Sequence, residues 1–349
     1  MKLHYNSIMR KLEHQTRKND HIDINLNSDV KSTLSPGFEA FAFEHNALPE
    51  FAFNQINLEQ TLFEKTVRAP ILISSMTGGV LQAEMINRNL AHAAQHFGIA
   101  MGVGSQRSML ENNSNCNSFN IRKYAPDILL FSNIGAVQLN YGVTIPNLQH
   151  LVESIDADAL ILHLNSMQEV FQPEGQLDFS NLLPKIEEAV KKLHVPVIVK
   201  EVGWGISGKL ARQLADIGVA AVDVAGAGGT SWSQIEKFRQ DDPILIEAAE
   251  AFRNWGNPTA LCLKEIKEQN IEIKVFASGG LKTGVDAAKS IALGAVLCGF
   301  AGKILKAATQ DVEDLAEVLD QIILELKISM FGAGVKNLKE LSKLSLRVK

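Results

Sequence analysis

His163, Asn165, Gln168 and Glu169 fall within seven residues, directly behind the apolar run Ala159–Leu162. Four polar side chains thus arrive where a buried strand ends. A polar group buried without a partner costs roughly 1–3 kcal/mol. The stretch is therefore either a satisfied internal network or a site for a polar ligand. Glu169 is a single carboxylate with no second acid on its loop. It suits Mg²⁺, which takes one or two carboxylates and shares substrate phosphates; the plainer alternative is a solvated glutamate at a helix start.

Lys200 ends the run Val197–Val199. A lysine there could form a Schiff base or stand as a fixed cation beside a flavin or a phosphate. Pairing with Glu201 is disfavoured, since neighbours on a strand face opposite sides. Two glycine-rich segments, Ser278-Gly279-Gly280 and Gly299-Phe300-Ala301-Gly302, suit a phosphate held by bare backbone N–H groups, whether a substrate's or a mononucleotide tail's. Tight turns are the simpler alternative. Gly203, Gly205 and Gly208 make a GxGxxG with Asp223 twenty residues beyond the first glycine, the spacing of a dinucleotide fingerprint. That fingerprint belongs after a first strand, whereas this one follows the fifth of eight similar units, and Asp223 lies inside a strand. The glycines read instead as a turn leaving room for a ligand near Lys200.

These residues need elements to hold them. Eight apolar runs recur: 70–76, 99–104, 127–134, 159–165, 195–202, 220–226, 273–280 and 295–301. Helical stretches separate them at 81–97, 148–155, 182–193, 209–217, 259–268 and 285–293. Strands apolar throughout are buried on both faces, as in parallel sheets covered by helices. Eight such repeats predict an α/β fold, a (β/α)8 TIM barrel, with an open doubly wound sheet as the alternative. Residues 67–349 form that barrel, and 227–258 insert between strands 6 and 7, helical over 243–255. Residues 1–66 form an N-terminal extension, an arm with a covering segment. The arm carries Arg10-Lys11, Arg17-Lys18 and His21, with apolar helical positions at Ile8, Met9 and Leu12; the covering segment has spaced phenylalanines from Phe38 to Phe63 that suit half-buried strands, a cover or an interface. In a barrel the C-terminal strand ends carry the chemistry, and here nearly every one is polar.

A formal net charge of −5 argues against nucleic-acid binding through a global basic field. Cys116, Cys262 and Cys298 are scattered without metal spacing, which fits reduced thiols, with Cys298 in the core. No secretory signal or membrane span is evident, so a cytoplasmic protein without a membrane partner is expected.

Taken together, RKNDH (17–21), SMTGG (75–79), GSQR (104–107), SNIGA (132–136), HLNSMQE (163–169), KEVGWGIS (200–207), GAGGTSW (226–232) and SGGLKTG (278–284) resemble the type 2 isopentenyl-diphosphate Δ-isomerases, FMN-dependent barrel enzymes. HxNxxQE with RKxxH is the specific part; the glycine segments are shared more widely among FMN barrels. The resemblance implies that Arg17, Lys18, His21, Ser105, Arg107, His163 and Asn165 bind an isoprenyl diphosphate, with Gln168 as the catalytic side chain over its carbons. It implies Mg²⁺ on Glu169, and FMN lined by Ser75, Met76, Thr77, Ser105, Asn133, Lys200 and Thr230. The FMN phosphate would lie against Gly279, Gly280, Leu281, Ala301 and Gly302. Reduced FMN would move the proton without net redox change, NADPH serving only to reduce it, and a homo-oligomer of four or more subunits is implied. Lys282 departs from the family's usual Arg, keeping the charge but losing the planar fork. FMN-dependent α-hydroxy-acid oxidation is the nearest alternative, weakened by the absence of a histidine from 225–232 and 278–284. A non-catalytic flavin- or phosphate-binding barrel is the other.

Overall fold

The computed structural model describes residues 17–111 and 117–349. The positions Ile8, Met9 and Leu12, the pair Arg10-Lys11, and Cys116 lie outside the described residues. Eight parallel strands close into a barrel: Ile71–Ile73, Ala100–Gly102, Leu130–Gly135, Ala159–His163, Val197–Lys200, Ala221–Asp223, Lys274–Ala277 and Ala295–Phe300. The eighth pairs with the first, Cys298 opposite Ile71. That pairing excludes an open sheet. All eight expected strands are present, most of them shorter than expected because their polar ends leave the ladder to build loops.

Strand alternation divides the apolar residues into two cores. Leu160, Leu162, Val197, Val199 and Val222 pack outward against the helices. Ala159, Ile161, Ile198, Ala221, Phe276 and Leu297 pack inward. A period of two then puts His163, Lys200 and Asp223 inward, one layer above. Register agrees, with His163 opposite Lys200 and Lys200 opposite Asp223.

The N-terminal end of the barrel is plugged by a hairpin, Gln60–Leu62 paired with Lys65–Val67. Phe63 at its turn meets Phe131 and Phe276 edge-on at 6.4 and 6.5 Å between ring centroids. Phe131 and Phe276 stack at 5.9 Å. Part of the phenylalanine-rich segment is thus a covering piece, with Phe51 and Phe53 edge-on against Phe331.

Helices Leu81–Phe97 and Thr259–Glu268 form where the sequence places them, and Ile145–Ser154, Leu182–Lys192, Gly208–Asp216 and Gly284–Ala292 nearly so. The insertion holds two helices, Trp232–Lys237 and Pro243–Ala251, of which only the second was anticipated. Val312–Gly332 was not anticipated either. Its buried stripe Leu315, Leu319, Ile322, Leu326 and Met330 has helical spacing, but exposed Leu324 and Ile328 blur the period. The arm is helical over 17–27, with Lys18 and Ile22 buried four residues apart. Among the described residues, no helix is long and apolar enough to cross a membrane.

Candidate active site

The polar layer above the inner core is knit together by charge. Lys200 Nζ donates to Asp223 Oδ2 at 2.7 Å and to Ser278 Oγ at 3.1 Å. Ser278 Oγ donates in turn to Asp223 Oδ1 at 2.6 Å. Lys200 is 7% exposed and Asp223 1%, so the pair is desolvated, and removing either partner would strand a buried charge. This geometry matches a fixed cation at the barrel mouth better than a Schiff-base amine. Asp223, set aside in the sequence as a strand residue, is its counter-ion; inward alternation from Ala221 was the available signal.

The glycine turn after Lys200 differs from its expected role. The Glu201 carboxylate accepts the backbone N–H groups of Val202, Gly203, Trp204 and Gly205 at 2.7, 2.7, 2.5 and 3.2 Å. The turn wraps the chain's own anion, as concave runs of N–H groups do, so these four N–H groups are already engaged. Burial pushes the Glu201 carboxyl up to about 7 against the pull of those four donors.

His163 Nδ1 lies 2.8 Å from Asn133 Oδ1. The Asn133 amide orientation is set by its Nδ2, which donates to the Val103 carbonyl at 3.0 Å. Nδ1 therefore carries the proton and Nε2 presents a lone pair. Burial first, then the cations Lys200, Lys18 and Arg17, hold the ring down at about 3. His163 is a neutral acceptor.

Helix 17–27 lies across the C-terminal mouth. Lys18 is buried and donates to the carbonyls of Gly78 and Ser105, beyond the first and second strands. Burial, then Arg17, draw it down to about 7. Arg17 Nη1 lies 3.4 Å from Glu174 Oε1, on the segment that follows the helix after the fourth strand; burial is the main cause of its lowered pKa. His21 Nε2 is 2.9 Å from Glu236 Oε1, and its ring meets Trp232 edge-on at 5.2 Å. Arg17, Lys18 and His21 thus reach loops that follow the first, second, fourth and sixth strands.

Asn165 precedes the short helix Ser166–Phe171, which carries Gln168 and Glu169 into the protein, 8% and 5% exposed. Gln168 Nε2 donates to Glu236 Oε1 at 2.9 Å, and Arg239 Nη1 meets Glu236 Oε2 at 2.8 Å. Burial alone would raise the fully buried Glu236; His21, Arg239 and the Gln168 amide outweigh it and hold it at about 2. With its NH₂ so engaged, Gln168 has its carbonyl oxygen available to the site. The sequence reading did not single out Glu236. Its only signal is helical spacing from Trp232, four residues earlier, which puts both on the face that meets His21.

Glu169 accepts from Asn165 Nδ2 at 2.7 Å, from the Gln176 backbone N–H at 2.6 Å and from Gln172 Nε2 at 3.4 Å. Asn165 Oδ1 beside it is buried without a hydrogen-bond partner among the described residues. An orphaned oxygen next to a carboxylate fits a cation whose other ligands come from a diphosphate. No cluster of three or more His, Cys, Asp or Glu suited to a metal occurs among the described residues.

The expected flavin-lining residues converge on the same end. Ser75, Met76 and Thr77 follow the first strand; Asn133 lies in the third. Thr230 Oγ1 meets Asn25 of the arm at 3.4 Å. Ser75 Oγ is buried and unpartnered among the described residues, as expected of a hydroxyl awaiting a polar ligand. Gly279 and Gly280 have φ of +98° and +78°, and a Cβ on either would lie 2.1 or 2.5 Å from the carbonyl oxygen of Gly226 or Gly228. Only glycine lets these two loops lie backbone to backbone. Leu281 is buried under them, while Ala301 and Gly302 are exposed at the end of the eighth strand. The residues fit a flavin mononucleotide.

A family model described as FMN-dependent dehydrogenase matches residues 138–348. An isopentenyl-diphosphate delta-isomerase of Rickettsia bellii (strain RML369-C) is 53% identical over 332 residues, 95% of this chain and 97% of the relative. That of Rickettsia africae (strain ESF-5) is 51% identical over the same shares. Among solved structures, a flavocytochrome b2 variant with sulfite bound has a TM-score of 0.68 at 18% identity, covering 95% of this chain and 83% of that one. A mandelate oxidase variant with benzaldehyde has a TM-score of 0.66 at 16% identity, covering 95% and 94%. Those two likenesses concern the fold alone. The chain belongs to the isopentenyl-diphosphate delta-isomerase family, built on the barrel of the FMN-dependent dehydrogenases.

Proposed function

We propose that this chain isomerises isopentenyl diphosphate to dimethylallyl diphosphate, using reduced FMN, with NADPH as the reductant and Mg²⁺ bound together with the substrate diphosphate. The observation that carries the reading is the arm across the mouth, where Arg17, Lys18 and His21 meet loops that also hold Arg107, Gln168 and Glu236. Reduced FMN supplies proton addition and removal at the flavin ring.

The chain's own residues supply the rest. Arg17, Lys18 and Arg107 bind the diphosphate through charge-assisted hydrogen bonds, with Ser105 and Asn165 beside them. His163 joins them: its ring is neutral in the unliganded site, and a diphosphate, by offsetting Lys18 and Arg17, would raise its basicity and let it donate. Glu169 is the protein carboxylate for Mg²⁺. Gln168 turns its carbonyl dipole toward the isoprenyl carbons, where protonation of the alkene develops positive charge. Glu236, anionic at any working pH, stabilises that charge from behind. The closed arm excludes water from it. Ser75, Met76, Thr77, Asn133, Lys200 and Thr230 orient the flavin, and the loops Gly279–Leu281 and Ala301–Gly302 hold its phosphate.

In this reading residues 67–349 are one catalytic barrel and 1–66 its arm and cover. The protein works in the cytoplasm as a homo-oligomer of four or more subunits. Purified protein should be yellow and bleach with NADPH or dithionite. The bleached form with Mg²⁺ and isopentenyl diphosphate should then yield dimethylallyl diphosphate, followed by proton NMR. Oxidation of a 2-hydroxy acid without that product would overturn the proposal.

A further inference from the structure

Beside the arm lies a cavity of about 650 Å³ whose walls include Arg17, Arg107, Glu111, Tyr141, Glu174 and Gln176. Each arginine there already faces a carboxylate. Arg17 Nη1 lies 3.4 Å from Glu174 Oε1, and Arg107 Nε lies 2.7 Å from Glu111 Oε1. The two acids are unlike the buried Glu169 and Glu236: their side chains are 36% and 39% exposed. Glu174 is also shared, since Arg239 Nη2 approaches the same oxygen at 3.3 Å. One carboxylate oxygen at 3.3–3.4 Å from two guanidiniums is a loose contact beside the 2.7–2.9 Å of a good charge-assisted bond; the Arg107–Glu111 contact is short, and there it is the exposure of the carboxylate that makes the pair weak.

We propose that Glu174 and Glu111 are exchangeable counter-ions that hold Arg17 and Arg107 until a diphosphate displaces them, and so set the affinity of the site for its substrate. This rests on the reading of the cavity as the diphosphate site. A diphosphate offers several oxygens and about three negative charges, enough to engage both arginine forks at once; a half-exposed carboxylate returns to water at little cost. The exchange is wired to the rest of the site. Glu174 lies between Gln172, which donates to Glu169, and Gln176, whose N–H donates to Glu169 Oε2 at 2.6 Å. The Gln176 side chain accepts from Arg107 Nη1 at 3.3 Å. A Cβ at Gly175 would lie 1.8 Å from the Glu169 carbonyl oxygen, so this turn is clasped against the Glu169 helix. Displacing Glu174 loads the turn that orients Glu169.

The test is calorimetric titration of inorganic pyrophosphate into the FMN-loaded protein without metal. Glu174→Gln keeps the shape and removes the competing charge; affinity should tighten roughly two- to fivefold, the size of an exposed ion pair. Glu174→Asp should stay near wild type, and Glu111→Gln should shift the same way as Glu174→Gln. With isopentenyl diphosphate, KM should fall in Glu174→Gln while kcat does not rise. Unchanged or weaker pyrophosphate binding in both Gln variants, at normal flavin content and melting temperature, would overturn the proposal and make these acids permanent clamps. If Glu174→Gln alone fails to fold, Glu111→Gln decides. Wild-type protein that takes up no pyrophosphate would instead remove the diphosphate reading itself.

Discussion

The two ends of this barrel are built from the same eight strands and do opposite things. At the N-terminal end, Phe63, Phe131 and Phe276 close an apolar plug. At the C-terminal end, His163, Lys200, Asp223, Gln168, Glu169 and Glu236 bring charge and amide into places at most partly open to water. The plug is saturated. The mouth contains Ser75 Oγ and Asn165 Oδ1, buried and unpartnered among the described residues. One end is a stability device, and the other holds polar groups at an energetic cost justified only by a ligand.

Substitutions at the two ends should therefore separate stability from turnover. The largest effect belongs to the closed end. Phe276→Ala deletes a fully buried ring from the plug and should cost about 3–5 kcal/mol. Denaturant unfolding measures it, while the folded fraction keeps its flavin stoichiometry. At the open end, Gln168→Ala removes the amide held by Glu236. It should lower kcat by roughly 100-fold, as misplaced catalytic dipoles do, and cost less stability than Phe276→Ala, about 1.5–3 kcal/mol for a hydrogen bond to a buried charge. A stability loss as large as that of Phe276→Ala would erase the contrast between the ends.

How far this contrast was legible in the sequence depends on the element. Periodicity alone exposed the eight strands, because inner and outer faces are both apolar. The polar strand ends Ser75, His163, Lys200 and Ser278 stood out against those runs. Closure was invisible, since the Cys298–Ile71 pairing joins residues far apart in sequence. Glu236 was hidden for a related reason. Its partners His21, Gln168 and Arg239 come from three segments, and no local pattern marks a glutamate as the buried one. Glu201 shows the reverse: a motif legible in sequence whose glycines serve an internal carboxylate, because the fold turns their N–H groups inward onto it.

Two finer tests sharpen the account of the mouth. Arg17→Ala should raise KM for the diphosphate substrate by roughly 10-fold or more, the worth of a hydrogen bond to a charged group. kcat should change less, and steady-state kinetics separate the two. Lys18 should give an effect of pH. Its folded pKa, drawn down to about 7 by burial and by Arg17, lies below the ordinary lysine value. The unfolded chain therefore binds more protons, and stability should rise with pH from about 7 toward 10. The diphosphate prefers the charged form, so above pH 7 binding should take up a proton and weaken by up to about tenfold per pH unit. Lys18→Arg, charged throughout, should lose that dependence in pyrophosphate titrations from pH 6 to 9; an identical profile in both proteins would assign the titration to another group.

The central claim is that the open end moves protons and not electrons. The direct measurement is product per flavin after a single anaerobic reduction. FMN-loaded protein is bleached once with one equivalent of dithionite, freed of excess, and given Mg²⁺ and isopentenyl diphosphate. The account predicts many molecules of dimethylallyl diphosphate per flavin, with the flavin still reduced at the end. At most one product per flavin, or reoxidation in step with turnover, would contradict it.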